Sequence, residues 1–82
     1  MFVNTVNPVV AERFIETRFG IAHVTLTKTT AFESAVSVEG NIGTSGPVVW
    51  CRNSVLDYAV DMYNEIACNT ARLEYFIANE VL

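Results

Sequence analysis

The first patterned segment has apolar residues at steps of three and four, which is the spacing of an amphipathic helix. Asn7 suits the residue before a helix, and Pro8 suits its first position, where a backbone N–H would have no helical partner. Gly20 follows at a position where helices often end. The pattern predicts a helix over residues 8–19 whose apolar face consists of Val10, Ala11, Phe14, Ile15 and Phe19.

The next two segments change to a period of two, which is typical of strands with one buried face. In residues 21–28 and 32–39 the apolar side chains occupy even-numbered positions: Ala22, Val24, Leu26, Phe32, Val36 and Val38. If both sets share one face of an antiparallel pair, the numbers of paired residues have an even sum, so the connecting loop has an odd length. We expect residues 29–31 to form this loop, with a five-residue loop as the alternative.

A glycine-rich stretch, residues 40–46, separates these strands from a short apolar run. It lacks the lysine and the following helix that a phosphate-binding loop needs, so we interpret it as a flexible connection. Ile42 is the apolar residue within it and is a candidate contact point for a partner. Residues 47–51 predict a third strand, which Pro47 can begin because proline is tolerated at a strand's first position.

The C-terminal part of the chain returns to helical spacing and contains neither proline nor glycine after Pro47. Ser54 and Asp57 have the spacing of a capping box, so a helical region is predicted over residues 54–81. A continuous helix of that length would extend about 40 Å and overhang a domain whose radius of gyration is about 12 Å. Either the helix breaks at residues 68–70, which are poor helix formers, or its end projects toward a partner.

These elements predict a single α+β domain with the order α-β-β-β-α(-α): a three-stranded antiparallel sheet packed against an N-terminal helix and a long or kinked C-terminal helix. The order resembles the double-stranded-RNA-binding domain, a family that is also built α-β-β-β-α. That family grips RNA with a lysine cluster at the start of its second helix, whereas residues 52–57 here hold one basic residue and one acid. The resemblance is therefore one of element order only, and an RNA-binding role is not implied.

Composition narrows the class of protein. The 82 residues are 51% apolar and 17% charged with a formal net charge of −4, so we expect a compact acidic domain and no extensive disorder. No apolar run has the ~18 residues of a membrane span, and the negative charge opposes nucleic-acid binding. Cys51 and Cys68 are too few for a disulfide framework, so we expect reduced, buried thiols. The reduced thiols, and an N-terminal segment that does not resemble a secretion signal, favour a location in the cytoplasm. If a phage encodes the chain, this is the cytoplasm of the host cell.

His23 is the candidate for acid–base chemistry, because it is the only histidine. It would need a hydrogen-bonded partner on the next strand, such as Glu33, Ser37 or Glu39. An ordinary surface histidine is the simpler interpretation. No metal or cofactor site is expected, since the sequence has neither a Cys/His cluster nor a Glu-x-x-His pattern.

Two surface features are candidate contact sites for a partner. Asp57, Asp61 and Glu65 lie four residues apart and share one helical face, which is either a solvated face or a recognition stripe for a basic protein surface. Toward the C-terminus more than one helical face is apolar, beyond the single stripe of an ordinary surface helix. The apolar candidates for partner binding or self-association are Tyr75, Phe76, Ile77 and Val81.

These observations favour a non-enzymatic protein-binding module over an enzyme. The first hypothesis is a small inhibitor or adaptor of a larger protein with a basic surface. In character it resembles the inhibitors that phages and mobile elements encode against host or defence machinery, anti-CRISPR proteins among them. The alternative is a self-assembling structural subunit, such as a homodimer, that associates through its C-terminal helical region. Neither hypothesis involves a cofactor, a membrane or direct nucleic-acid binding.

Overall fold

The structure is a computed structural model and describes residues 9–42 and 47–81. It contains four strands: β1 (Val9–Thr17), β2 (Gly20–Lys28), β3 (Glu33–Asn41) and β4 (Pro47–Val55). These are followed by helices α1 (Leu56–Ala67) and α2 (Thr70–Phe76), and by a π-helical segment (Ile77–Val81) that continues α2. The fold is α+β with the order β-β-β-β-α-α, so the predicted three-stranded α-β-β-β-α arrangement is wrong.

The main correction concerns residues 9–17, which form a strand instead of the predicted helix. β1 pairs with β2 in an antiparallel hairpin that places Arg13 opposite Val24 and Ile15 opposite Ala22. The apolar spacing of this segment fits a helix, but its β-branched and aromatic side chains also suit a strand, and pairing with a neighbouring strand decides between the two. Because the described part opens on a strand, its element order is not that of the double-stranded-RNA-binding domain.

Two predicted features fall on residues that the structure does not describe. The expected helix start at Asn7 and Pro8 lies outside the described residues. The same is true of residues 43–46, which make up the larger part of the glycine-rich connection. The described chain resumes at Pro47, which is the first residue of β4 as the sequence indicated for a strand.

The four strands form one antiparallel sheet in chain order, so β1 and β4 are its edges. Val24 pairs with Val38, and the even-numbered apolar residues of β2 and β3 therefore share one face, as the parity argument requires. Lys28 and Ser34 are the last pair between these strands, and residues 29–32 connect β2 to β3.

The helical region is divided at Cys68 and Asn69, so the chain does not form one overhanging helix. The Asn69 side chain accepts a hydrogen bond of 3.2 Å from the Arg72 N–H and thereby caps the N-terminus of α2. Arg13 of β1 donates a hydrogen bond of 3.1 Å through Nη1 to the Ala67 carbonyl, at the end of α1 where carbonyls lack helical partners. The break therefore allows both helices to pack on the same sheet.

The helices cover one face of the sheet and leave the other uncovered. The core between helices and sheet consists of Ala22, Val24, Leu26, Val36, Val38, Ile42, Ala59, Tyr63, Ile66, Ala67, Leu73 and Ile77. The uncovered side, called the open face below, is formed by the odd-numbered residues of β2, β3 and β4 together with Glu12, Phe14 and Glu16 of β1. The sheet therefore has two sides of different chemistry.

Gly20 and Gly40 lie where β2 and β3 leave no room for a Cβ. Their φ angles are +129° and +143°, a region that L side chains rarely adopt. A Cβ on Gly40 would lie 2.5 Å from the carbonyl oxygen of Ile21, and one on Gly20 would lie 2.5 Å from that of Asn41. Both positions therefore require glycine.

Gly40→Ala is expected to lower the free energy of unfolding by about 2–3 kcal/mol, because the new Cβ meets backbone at a strained φ angle. Asn41→Ala changes the exposed next residue and should alter the free energy by less than about 0.5 kcal/mol. Urea denaturation followed by circular dichroism measures both. A Gly40→Ala protein as stable as this control would show that the two strands do not approach as described.

Tyr63 is the core residue with a titratable side chain. Its buried position on the sheet side of α1 raises the pKa of its phenol above the ordinary value of 10.0, and the positive charge of Arg13 opposes this rise. Deprotonation is therefore less favourable in the folded protein than in the unfolded chain, which makes stability depend on pH in the alkaline range.

We predict that the free energy of unfolding decreases as the pH rises above about 10, because the unfolded chain then releases the Tyr63 proton while the folded protein retains it. Below that pH both states keep the proton, and this contribution is constant. Urea denaturation of the wild type and of Tyr63→Phe between about pH 8 and 11 measures the effect. Tyr58 and Tyr75 remain in both proteins, so an equally steep decline in the variant would contradict the prediction.

Candidate functional site

A groove lies where α1, α2 and the edge strand β4 meet, on the helix side of the sheet. Its volume is about 650 Å³, which is enough to hold a small ligand or a few side chains of a partner. It is lined by Trp50, Arg52, Tyr58, Asp61, Met62, Glu65, Ile66, Arg72, Tyr75, Phe76, Asn79 and Glu80. Half of the predicted contact residues belong to this concave feature.

Strand alternation and helical spacing bring these side chains together. Trp50 and Arg52 are two residues apart and therefore point to the same face of β4. Residues 58, 61, 62 and 65 of α1 follow steps of one, three and four, so they occupy one side of the helix. The buried side of α1 is formed by Ala59, Tyr63, Ile66 and Ala67, of which Ile66 also reaches the groove. One side of α1 therefore packs on the sheet while the adjacent side faces the groove.

Aromatic side chains form the apolar part of the groove. The centroids of the Trp50 and Phe76 rings are 4.7 Å apart and the rings are nearly perpendicular, at 88°, in an edge-to-face contact. Tyr75 is 66% exposed, and Tyr58 is also exposed. The guanidinium carbon of Arg52 lies 5.4 Å from the Tyr58 ring centroid, in a cation–π contact. A side chain that entered the groove would therefore meet rings from β4, α1 and α2.

The positive charges of the groove are engaged, whereas two of its carboxylates are not. Arg72 forms an ion pair of 2.9 Å with Glu65, and Arg52 is stacked on a tyrosine ring. Asp61 and Glu80 form no ion pair with any described residue. The groove therefore presents two carboxylates without an ion-pair partner among the described residues beside aromatic rings, a combination that attracts lysine and arginine side chains.

The structure brings together four of the predicted contact residues. Asp61, Glu65, Tyr75 and Phe76 all line the groove, so the predicted acidic face and the predicted apolar region meet there. Asp57 does not line it. Asp57 is exposed in the first turn of α1, where a negative charge interacts favourably with the helix N-terminus.

The other three predicted contact residues lie in the core or against it. Ile42 and Ile77 are fully buried, and Val81 is half-buried and packs on the core cluster. Ile42 follows β3 directly at an even-numbered position, so it continues the covered face of the sheet and is not an exposed loop residue. Many of the apolar side chains near the C-terminus therefore pack on the sheet and are not exposed to a partner.

Trp50 and Arg52 are groove residues that the sequence did not reveal as contact candidates. The sequence feature that indicates them is the alternation in β4, where Val48, Trp50 and Arg52 share one face. Tryptophan and arginine are seldom fully buried, so their presence on the covered face marks the place where the covering helices end. The predicted strand over 47–51 stopped before Arg52 and concealed this relation.

His23 and the two cysteines lie apart from the groove. The His23 ring is stacked on Phe14, with 4.1 Å between centroids, and its Nε2 is 2.7 Å from an oxygen of Glu12. Cys51 and Cys68 are free and exposed, so the expectation of buried thiols is wrong. Cys51 has an odd number and therefore belongs to the open face, while Cys68 lies at the break between the helices.

Within 9–42 and 47–81, no helix is long and apolar enough to cross a membrane. Nor do these residues contain a group of three or more His, Cys, Asp or Glu side chains that could hold a metal ion. Comparison of the chain with protein-family models, curated proteins and solved structures gave no match. Function therefore has to be inferred from the chain's own side chains.

Phe76→Ala is expected to expose Trp50 to water and to shift its fluorescence emission to longer wavelength, because the ring packed against the indole is removed. Trp50 is the only tryptophan, so the emission reports on the groove. The variant should also lose about 1–3 kcal/mol of stability, less than for a fully buried phenylalanine. Tyr75→Ala, which removes an exposed ring, should leave the emission maximum nearly unchanged. Equal emission from wild type and Phe76→Ala would contradict the contact.

Proposed function

We propose that the chain is a non-enzymatic protein-binding module whose groove accepts a segment of a larger protein. The observation that carries the proposal is the combination of aromatic rings with two carboxylates, those of Asp61 and Glu80, that have no ion-pair partner among the described residues. Aromatic side chains and methionine are enriched at the centres of protein interfaces, and Trp50, Met62 and Tyr75 are of this kind.

The groove favours a partner segment with basic and apolar side chains. The aliphatic stem of a lysine or arginine can pack on the Tyr75 or Trp50 ring while its charged head reaches Asp61. The groove holds only a few side chains of such a partner, and the rest of the domain then lies against the partner's surface. We therefore favour an inhibitor or adaptor, which acts by blocking or bridging a larger protein.

Self-assembly through the C-terminal helices is the competing proposal. Some apolar side chains of these helices are not accessible for self-assembly, since Leu73 and Ile77 are fully buried against the sheet. Among the apolar candidates of this region, Tyr75 is the residue that stays largely exposed. Sedimentation of the full chain at several concentrations separates the two proposals, because assembly requires a molecular mass that increases with concentration.

The groove proposal is tested by selecting binders from a displayed library of random peptides of about twelve residues and titrating them against Trp50 fluorescence. We expect selected peptides to contain lysine or arginine next to aromatic residues and to change the Trp50 emission. Asp61→Lys should weaken their binding about tenfold or more, because an attraction in the groove becomes a repulsion.

Asp57→Lys is the matched control for this experiment. It introduces the same charge change on the same helix, but outside the groove, and should change the dissociation constant by less than about twofold. Equal weakening by both substitutions would show that net charge alone attracts the peptides. Binding that leaves Trp50 emission unaffected would place the interface elsewhere. Either result would contradict the groove proposal.

A further inference from the structure

The charges of the protein are segregated between the two sides of the sheet. Of the nine acidic residues, four lie on the open face: Glu12, Glu16, Glu33 and Glu39. None of the five basic residues lies there. By strand pairing, the covered face holds Arg13, Lys28 and Arg52. The other two basic residues are Arg18, which lies in the β1–β2 turn beside Glu74 of α2, and Arg72, which lies in α2 itself.

The net charge of the whole chain therefore comes from the side chains of one surface, the open face. Outside the open face, the remaining five acidic residues are balanced by the five basic residues. The four glutamates of the open face account for the formal charge of −4. The helix side, which the sequence suggested as the acidic surface, is formally neutral.

The open face also exposes large apolar side chains, although polar residues usually occupy the solvated face of such a sheet. Phe14 is 69% exposed, Ile21 58% and Val49 71%. Strand pairing places Phe14, His23, Glu39 and Val49 in one row across all four strands, with Ile21 diagonally adjacent to Phe14. The apolar side chains therefore lie among the carboxylates and not at a separate place.

Contacts along this row hold it in a fixed arrangement. The rings of Phe14 and His23 are stacked with 4.1 Å between centroids and 3° between their planes. His23 Nε2 is 2.7 Å from Glu12 Oε1, and Nδ1 is 3.5 Å from Glu39 Oε1. The Phe14 ring and the Glu12 carboxylate are thus positioned before any partner arrives, which lowers the entropy lost on binding.

We propose that the open face is a second interface, which binds a basic surface of another protein with apolar side chains at its centre. Charge complementarity selects this occupant, because lysine and arginine side chains would meet four carboxylates while apolar groups cover Phe14, Ile21 and Val49. A second copy would oppose four carboxylates with four more. Nucleic acid carries the same sign of charge and is repelled as well.

This interface is independent of the groove, because the two lie on opposite sides of the sheet. The groove is built by α1, α2 and the covered face of β4, and the open face is built by strand residues of the other parity. A partner on one surface therefore leaves the other accessible. The protein can bridge two partners in this way, and the open-face proposal does not depend on whether the groove binds one.

The test is a nuclear magnetic resonance titration of the nitrogen-15-labelled full chain with a synthetic peptide of about ten lysine and phenylalanine residues. We expect saturable shifts at the amides of open-face residues in β1, β2 and β3. The quadruple variant Glu12→Gln/Glu16→Gln/Glu33→Gln/Glu39→Gln keeps side-chain shape and hydrogen-bonding capacity, and its amide spectrum shows whether it is folded. It should weaken this binding by about tenfold or more.

The matched control is Asp57→Asn/Asp61→Asn/Glu65→Gln/Glu80→Gln, which removes the same number of charges from the helix side. Its dissociation constant at the open face should stay within about twofold of the wild type. Equal weakening by both quadruple variants would overturn the proposal, because net charge would then explain the binding. Shifts confined to the groove, or no saturable shift up to about 1 mM peptide, would overturn it too.

The apolar centre is tested separately with Phe14→Ser and Tyr75→Ser, which remove rings of similar exposure from opposite sides, 69% for Phe14 and 66% for Tyr75. Phe14→Ser should weaken peptide binding at the open face about fivefold, whereas Tyr75→Ser should leave it nearly unchanged. Oligolysine of the same length should bind more weakly than the peptide with phenylalanine. Equal affinity of the two peptides, or no effect of Phe14→Ser, would overturn the proposal of an apolar centre.

Discussion

The alternation of apolar and polar side chains in the two central strands, β2 and β3, determines how the rest of the chain packs. It creates one apolar sheet face, and leaving that face in water would cost about 25 cal/mol for each Å² of apolar surface. The C-terminal helices cover it, which requires the chain to turn at Cys68 and Asn69. The turn brings Leu73 and Ile77 onto the sheet, where both are fully buried. Since these helices cover a single face, the opposite face is left open by the residues that the structure describes.

The two candidate surfaces follow from this one-sided covering. The groove forms where the helices reach the edge strand β4 and no longer cover Trp50 completely. Arginines accompany the acidic residues on that side, as the ion pair of Arg72 with Glu65 shows. The open face has no such compensation, so the acidic character of the protein is concentrated on it. Each surface thus combines apolar side chains with carboxylates, but only the open face carries the net charge.

Local patterns predicted those parts of the fold in which each segment has a single compatible structure. The period of two in β2 and β3 indicates strands and also their shared face, because parity depends only on residue numbers. Residues 9–17 are different, since their apolar spacing suits a helix while their side chains also suit a strand. The pairing that decides between them is a tertiary contact. The same error hid the open face, because a helix would have separated Glu12 and Glu16 from the glutamates of β3.

The conformation of residues 9–17 in solution decides whether the four-stranded sheet is correct, and backbone chemical shifts and cross-strand nuclear Overhauser effects of the full chain measure it. We predict strand-like shifts throughout this segment and a close approach between the backbones of Arg13 and Val24, which are paired in the sheet. Helical shifts over these residues, or the absence of contacts to β2, would contradict it. Without β1 the sheet would lose an edge strand, and with it the arrangement of carboxylates on the open face.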